Sequence, residues 1–236
     1  MMNKSFRKAI SLSFSKYLKT NSRSNQKLVI LHGKIANDLQ VLLGNLYKVK
    51  SLGINDNKET KIIGKYIDKK VDITIVNSNE KPIAGIAVKF VMSNFFQNAN
   101  NYFENMLGET ANIRSNKVPY FQILILPSKI PYFNNKGDIT KWEELSENIL
   151  KKYFILSNDN TDIFMHIPNK TLIYIIDTDW IPNNITNKDN YKEICKSLIN
   201  EIKCKNIEMS YQFGDNIIYN DYESFIKKIF HYIKSI

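Results

Sequence analysis

An α/β protein with a mixed central sheet is the fold class predicted for this 236-residue chain. Three observations predict it. Two short apolar runs bounded by turn residues, Pro119 to Pro127 and Thr171 to Asp177, have the length and β-favouring composition of strands buried on both faces. Lys69 to Lys89 reads as a β-hairpin, with strands Val71 to Val76 and Ile83 to Phe90. Its turn, Asn77 to Pro82, is made of residues that bend the chain through their own side chains or a fixed φ. Elsewhere, apolar residues recur every three or four positions, the period of helices packed by one face. The length suits one domain, 1–236, with a substantial core.

In chain order, residues 1–52 read as a basic helical region. Phe6, Ile10, Phe14, Tyr17 and Leu18 mark a first helix. A longer stripe, Leu28, Leu31, Ile35, Leu39, Leu42 and Leu46, marks a second. The polar stretch Thr20 to Asn25 separates them and can cap the second. His32 lies beside the stripe and reads as a packed or hydrogen-bonded residue. Gly53 to Glu59 is a loop, and Lys61 to Ile67 reads as a first strand. After the hairpin, Phe95, Ala99, Tyr102, Phe103, Met106 and Leu107 define a helix ending near Gly108 or Arg114. Residues 59–126 thus form a core. Residues 127–236 complete it with a helix over Trp142 to Tyr153, the strand at 171–177, and helices over Tyr191 to Lys203 and Tyr222 to Ile233.

Composition narrows the function classes. No apolar run approaches the ~20 residues of a membrane span. The basic, amphipathic N-terminus predicts no secretory signal. Two cysteines, Cys195 and Cys204, give no disulfide framework and point to a reduced, cytoplasmic setting. His32, His166 and His231 are too scattered for zinc-site spacing. The formal net charge is +10, and residues 1–52 hold ten Lys and Arg against Asp38 alone. Such asymmetry is the footprint of phosphate binding, although a solvated lysine face produces it too.

The hairpin carries the chemistry. Asp72 stands at the start of one strand and Lys89 sits among apolar neighbours near the end of the other, so an acid and a lysine meet at one edge of a sheet. With this pair the segment resembles the core of the PD-(D/E)XK nuclease superfamily, whose best-known members are type II restriction endonucleases. That hairpin carries an Asp, then an acid, any residue and Lys. Asp72 matches the first position and Lys89 the last, while the second acid is replaced by Ala87. The resemblance implies a restriction-endonuclease-like αβββαβ core and Mg²⁺-dependent, sequence-specific cleavage of double-stranded DNA. It implies metal ligation by Asp72 and the main-chain carbonyl of Val88, with Lys89 positioning the attacking water. Glu59 is the candidate for the extra glutamate that some family members place before the hairpin.

Ala87 admits three readings. The chain is an active-site variant of a working enzyme and is itself impaired; or the acid has migrated to Glu104 or Glu109 on the following helix; or Ala87 is an ordinary strand residue. The alternatives to a restriction-type enzyme are accordingly a non-catalytic DNA-binding module with a degenerate nuclease fold, a repair or recombination nuclease, and a helical interaction protein with a basic face. For DNA contact the candidates are Lys16, Lys19 and Arg23 in the basic region and Asn94, Gln97, Asn98 and Asn101 at the start of the following helix, with a loop at Tyr132 to Asp138. A palindromic site would be matched most simply by a two-fold homodimer.

Overall fold

Strand pairing sets the frame of the molecule. The computed structural model describes residues 1–20, 26–54, 58–199 and 202–236. Among these, β1 (Lys48–Ser51), β4 (Ile73–Val76), β5 (Pro82–Phe90), β6 (Tyr120–Pro127), β9 (Lys170–Ile176) and β10 (Ile217–Tyr219) form one mixed sheet in that spatial order. Two small hairpins stand apart from it, β2 (Thr60–Ile62) with β3 (Lys69–Val71), and β7 (Lys129–Phe133) with β8 (Ile139–Glu144). The β1, β4 and β5 strands run antiparallel, and β5, β6, β9 and β10 run parallel. β6 is buried along its whole length because helices cover both of its faces, as a parallel strand requires.

One face of the sheet, carrying Ile73, Ile86, Val88, Ile123 and Tyr174, packs under α1 (Met2–Lys19), α2 (Gln26–Leu43), α5 (Lys188–Leu198) and α6 (Tyr222–Lys234). The opposite face, with Leu124, Leu126, Ile173 and Ile175, packs under α3 (Phe95–Arg114) and α4 (Glu147–Ser157). α1 buries Phe6, Ile10, Phe14 and Leu18, a stripe at helical spacing. Each such side chain contributes about 1.5–3 kcal/mol by leaving water. Phe6 stacks on Tyr222 with ring centroids 3.8 Å apart, joining α1 to α6. Among the described residues, no helix is long and apolar enough to cross a membrane. Both cysteines are free thiols.

Several elements depart from the sequence expectations. The strand expected at Lys61 to Ile67 is only β2, and it lies outside the main sheet. The strand that pairs with β4 is instead β1, within the region read as wholly helical. Four residues, Lys-Val-Lys-Ser, are too few to register as a strand by alternation. They form one because Val49 is buried and β4 offers its edge. α2 ends at Leu43 and leaves Leu46 exposed. Trp142 belongs to β8 rather than to a helix, which begins only at Glu147, and the loop expected at Tyr132 to Asp138 is the turn of the β7–β8 hairpin. α5 begins three residues before the expected Tyr191 and ends at Leu198. α6 lies where its apolar stripe predicts.

Candidate metal centre at the fork between two strands

Asp72 occupies the point where β4 and β5 part. Ile73 still pairs with Ile86. One residue earlier the ladder gives way to a side chain: the Val88 N–H donates to Asp72 Oδ2 at 2.7 Å. A carboxylate therefore replaces a backbone acceptor at the fork. Because an ionised carboxylate has about four acceptor sites, this bond leaves capacity for a cation. The main chain of Asp72 is held as well, since Ser51 Oγ at the end of β1 donates to its carbonyl at 2.6 Å. N–H and C=O of one strand residue point the same way, so the Val88 carbonyl also faces this edge.

The α2 helix brings a third group to the same place. Gly33 meets Gly53 so closely that a Cβ on Gly33 would lie 2.8 Å from the Gly53 carbonyl oxygen. Gly53 itself has φ +84°, a left-handed conformation that favours glycine. This pair of glycines lets α2 settle onto the turn after β1, and the residue next to Gly33 is His32. His32 is 1 % exposed, and neither ring nitrogen has a hydrogen-bond partner among the described residues. Leaving such a group unsatisfied costs about 1–3 kcal/mol. One ligand atom each from His32, Glu59 and Asp72 lie within 4.8 Å of one another.

Electrostatics fit the proximity. Burial pushes the His32 imidazole pKa down, opposed by the charge of Asp72 and assisted by that of Lys89, so both Asp72 and Lys89 are felt at the ring. The neutral imidazole is the form that binds metals. Partial burial pushes the Glu59 carboxyl up, and the neighbouring Asp72 charge adds to this while Lys70 opposes it. Two carboxylates and a buried, unpaired imidazole are a donor set that a divalent cation fits: it relieves the carboxylate repulsion and satisfies one orphan nitrogen.

The other candidates divide. Lys89 is exposed at the end of β5. Ala87 shares its side of the strand but is 3 % exposed, packed with Ile62, Val71, Ile113 and Tyr120. Beside it in register, Gln122 is buried with its Nε2 unpartnered among the described residues. Of the two helix acids, Glu109 is the one near Asp72, since both carboxylates are felt at the hydroxyl of Tyr120, which packs against Ala87. Glu109 pairs with Lys69 at 2.6 Å, and Glu104 is exposed, near enough to Lys152 to raise its pKa against burial. Burial, then the charges of Glu109 and Asp72, push the Tyr120 hydroxyl pKa well up, which keeps it protonated.

Among the DNA-contact candidates, Asn94 and Gln97 are engaged with the β7–β8 hairpin. The Phe133 N–H donates to Asn94 Oδ1 at 3.4 Å and the Tyr132 hydroxyl to Gln97 Oε1 at 3.0 Å. Asn98 Nδ2 donates to the Asn94 carbonyl, and Asn101 is exposed on α3. Lys16 and Lys19 lie in the last turn of α1. That end of α1 is beside the end of β5, as the 6.3 Å approach of the Phe14 and Phe90 rings requires, but Lys89 alternates with Phe90 and emerges on the opposite face of the sheet. Arg23 lies outside the described residues.

His32 is the site residue that sequence reasoning missed. Its signal was a titratable side chain one position along from Leu31, beside the apolar stripe of a helix, where burial without a partner is costly. The fold and site define a mixed α/β protein with a His–Glu–Asp cluster at a strand fork. No family model, curated protein or solved structure matches the chain.

Proposed function

We propose that this protein is a divalent-metal-dependent nuclease of the PD-(D/E)XK type acting on double-stranded DNA, with cleavage weakened by alanine at position 87. The observation that carries the reading is the fork itself, where Asp72 is pinned by the Val88 amide and stands beside Glu59 and His32. The succession of α2, antiparallel β1, β4 and β5, then α3 and parallel β6 is the order this resemblance implies, and it supports the reading.

Each side chain then has a task. Asp72, Glu59 and the Val88 carbonyl supply oxygen donors to the ion, and His32 a nitrogen. When bound, the ion supplies Lewis acidity at the scissile phosphate and acidifies the attacking water. Lys89, as an ammonium on the exposed end of β5, holds that water and offsets negative charge that grows on the phosphoryl oxygens. Lys16 and Lys19 hold backbone phosphates of the duplex near the same end of the sheet.

A second reading has its own observation. Position 87 is sealed by Ile62, Val71, Ile113 and Tyr120, as suits a non-catalytic DNA-binding module. Plasmid cleavage separates the two. Ala87→Glu should cut duplex DNA into discrete fragments about 10²-fold faster than the Ala87 chain, the scale of one restored charge-stabilising group. Adding Lys89→Ala should abolish the gain. If Ala87→Glu folds and binds duplex DNA yet leaves the plasmid intact, the module reading replaces the nuclease.

A further inference from the structure

We infer that His32, Glu59 and Asp72 form a mixed nitrogen–oxygen site that takes a first-row transition ion in preference to Mg²⁺. The inference deepens the nuclease reading by naming the ion and its ligands, and it rests on that reading only for what the ion does, since binding is measured without DNA.

Two independent observations carry it. The first is geometric: one ligand atom from each of three residues, on three separate segments of chain, converge within 4.8 Å. The second is an unpaid polar group. His32 is buried to 1 % exposure at this convergence with both nitrogens unpartnered among the described residues. A buried histidine kept only for packing would be expected to satisfy at least one nitrogen. Glu59 and Asp72 each bring a carboxylate oxygen within 4.8 Å of it, and their mutual repulsion is lowered by a cation between them.

Donor chemistry then selects the ion. Mg²⁺ demands near-ideal octahedral oxygen coordination and gives up water reluctantly, so an imidazole adds little to its binding. An imidazole raises affinity along the series from Mn²⁺ through Co²⁺ and Ni²⁺, which accept nitrogen readily. The charge of Lys89 felt at His32 and that of Lys70 felt at Glu59 disfavour any cation, but equally for ions of one charge. Preference among divalent ions therefore falls to the imidazole.

Isothermal titration of the full chain with MnCl2 and with MgCl2, without DNA, tests this. Mn²⁺ should bind one to one and at least about 10-fold more tightly than Mg²⁺. His32→Ala should weaken Mn²⁺ by about 10–100-fold, no less than loss of a supporting group at a metal site, and bring the two ions within about 3-fold. Glu59→Gln, at a partly exposed position, should weaken both ions. Because His32→Ala can fail to fold, the unmodified chain gives a second readout. Substoichiometric Mn²⁺ should broaden the imidazole resonances of His32 first and more strongly than those of His166 and His231. Unbroadened His32 signals, or a folded His32→Ala with an unchanged Mn²⁺ to Mg²⁺ ratio, would overturn the inference. Selective Mn²⁺ binding with no cleavage by Ala87→Glu would sink the nuclease reading and leave this one standing.

Discussion

Asp72 and Tyr222 illustrate how single side chains divide between chemistry and stability. Asp72 both closes the β4–β5 fork, by accepting from Val88, and provides charge. Asparagine keeps an acceptor of the same shape and removes the charge. Asp72→Asn should therefore melt within a few degrees of the parent chain by calorimetry and yet lose Mn²⁺ binding in titration. Tyr222 is the converse case. Its hydroxyl, held protonated by burial and by Asp38, donates to Asp38 Oδ2 at 2.7 Å, outside the His32, Glu59 and Asp72 cluster. Asp38 is buried and also pairs with Lys34. Tyr222→Phe removes one bond to a charged group, a loss of about 1.5–3 kcal/mol. It should appear as a lower urea midpoint at unchanged slope, with metal binding unaffected.

The β2–β3 hairpin shows what one element contributes beyond its own pairing. Its strands are three residues each, too short to persist alone. Asn112 on α3 holds the connection between them. Its Oδ1 accepts from the Tyr66 and Ile67 N–H groups at 2.9 and 3.2 Å, and its Nδ2 donates to the Ile67 carbonyl at 2.8 Å. Gly85 lets the hairpin lie close on β5, because a Cβ there would come 2.7 Å from Ile62 Cδ1. Glu59 immediately precedes β2, so the hairpin's position fixes the second carboxylate of the site. Asn112→Ala should free the hairpin without unfolding the sheet. Trypsin should then cut first at Lys61 or Lys65, amide exchange at Tyr66 and Ile67 should quicken, and Mn²⁺ affinity should fall with the loss of Glu59 placement.

At the scale of the whole molecule, charge is the organising feature. Apart from Arg23, the excess of Lys and Arg in residues 1–52 is carried on α1, α2 and β1. Part of it is neutralised within the protein: Lys48 and Lys50 on the edge strand β1 both pair with Glu80, and Lys34 pairs with Asp38. Lys16 and Lys19, by contrast, lie at the end of α1 that neighbours Phe90. If duplex DNA binds there, each neutralised phosphate contributes about −0.9 to the slope of log affinity against log salt. Lys16→Gln with Lys19→Gln should then make that slope shallower by about 2 and weaken binding equally for all sequences, because phosphate contacts position a protein without reading bases. An unchanged slope in fluorescence-anisotropy titrations would place these lysines away from DNA. A homodimer bound to a palindrome would double each contact, which light scattering of the complex would register as two chains per duplex.

Elements whose residues repeat a strong local pattern could be read directly from the chain. The stripe from Tyr222 to Ile233 becomes α6, the runs at 119–127 and 171–177 become β6 and β9, and the turn at 77–82 joins β4 to β5, because period and turn chemistry are properties of neighbours in the chain. Lys89 was legible as a charge on a strand where an apolar residue is expected and Asp72 as the acid at the start of its partner, whereas Glu59 was legible only through the family resemblance. The rest depends on contacts between segments distant in the chain or too short to fold alone. β1 and β10 are strands of four and three residues whose hydrogen-bond partners lie far along the chain, and β2 and β8 belong to small hairpins held by their docking on the rest of the fold, so local propensity is too weak to specify them. Whether Glu59, Glu104 or Glu109 stands by Asp72 likewise depends on how the hairpin and α3 dock. His32 changes meaning for the same reason: a histidine on an apolar stripe reads as packing until the close approach of Gly33 and Gly53 buries it, unpaired, against two carboxylates.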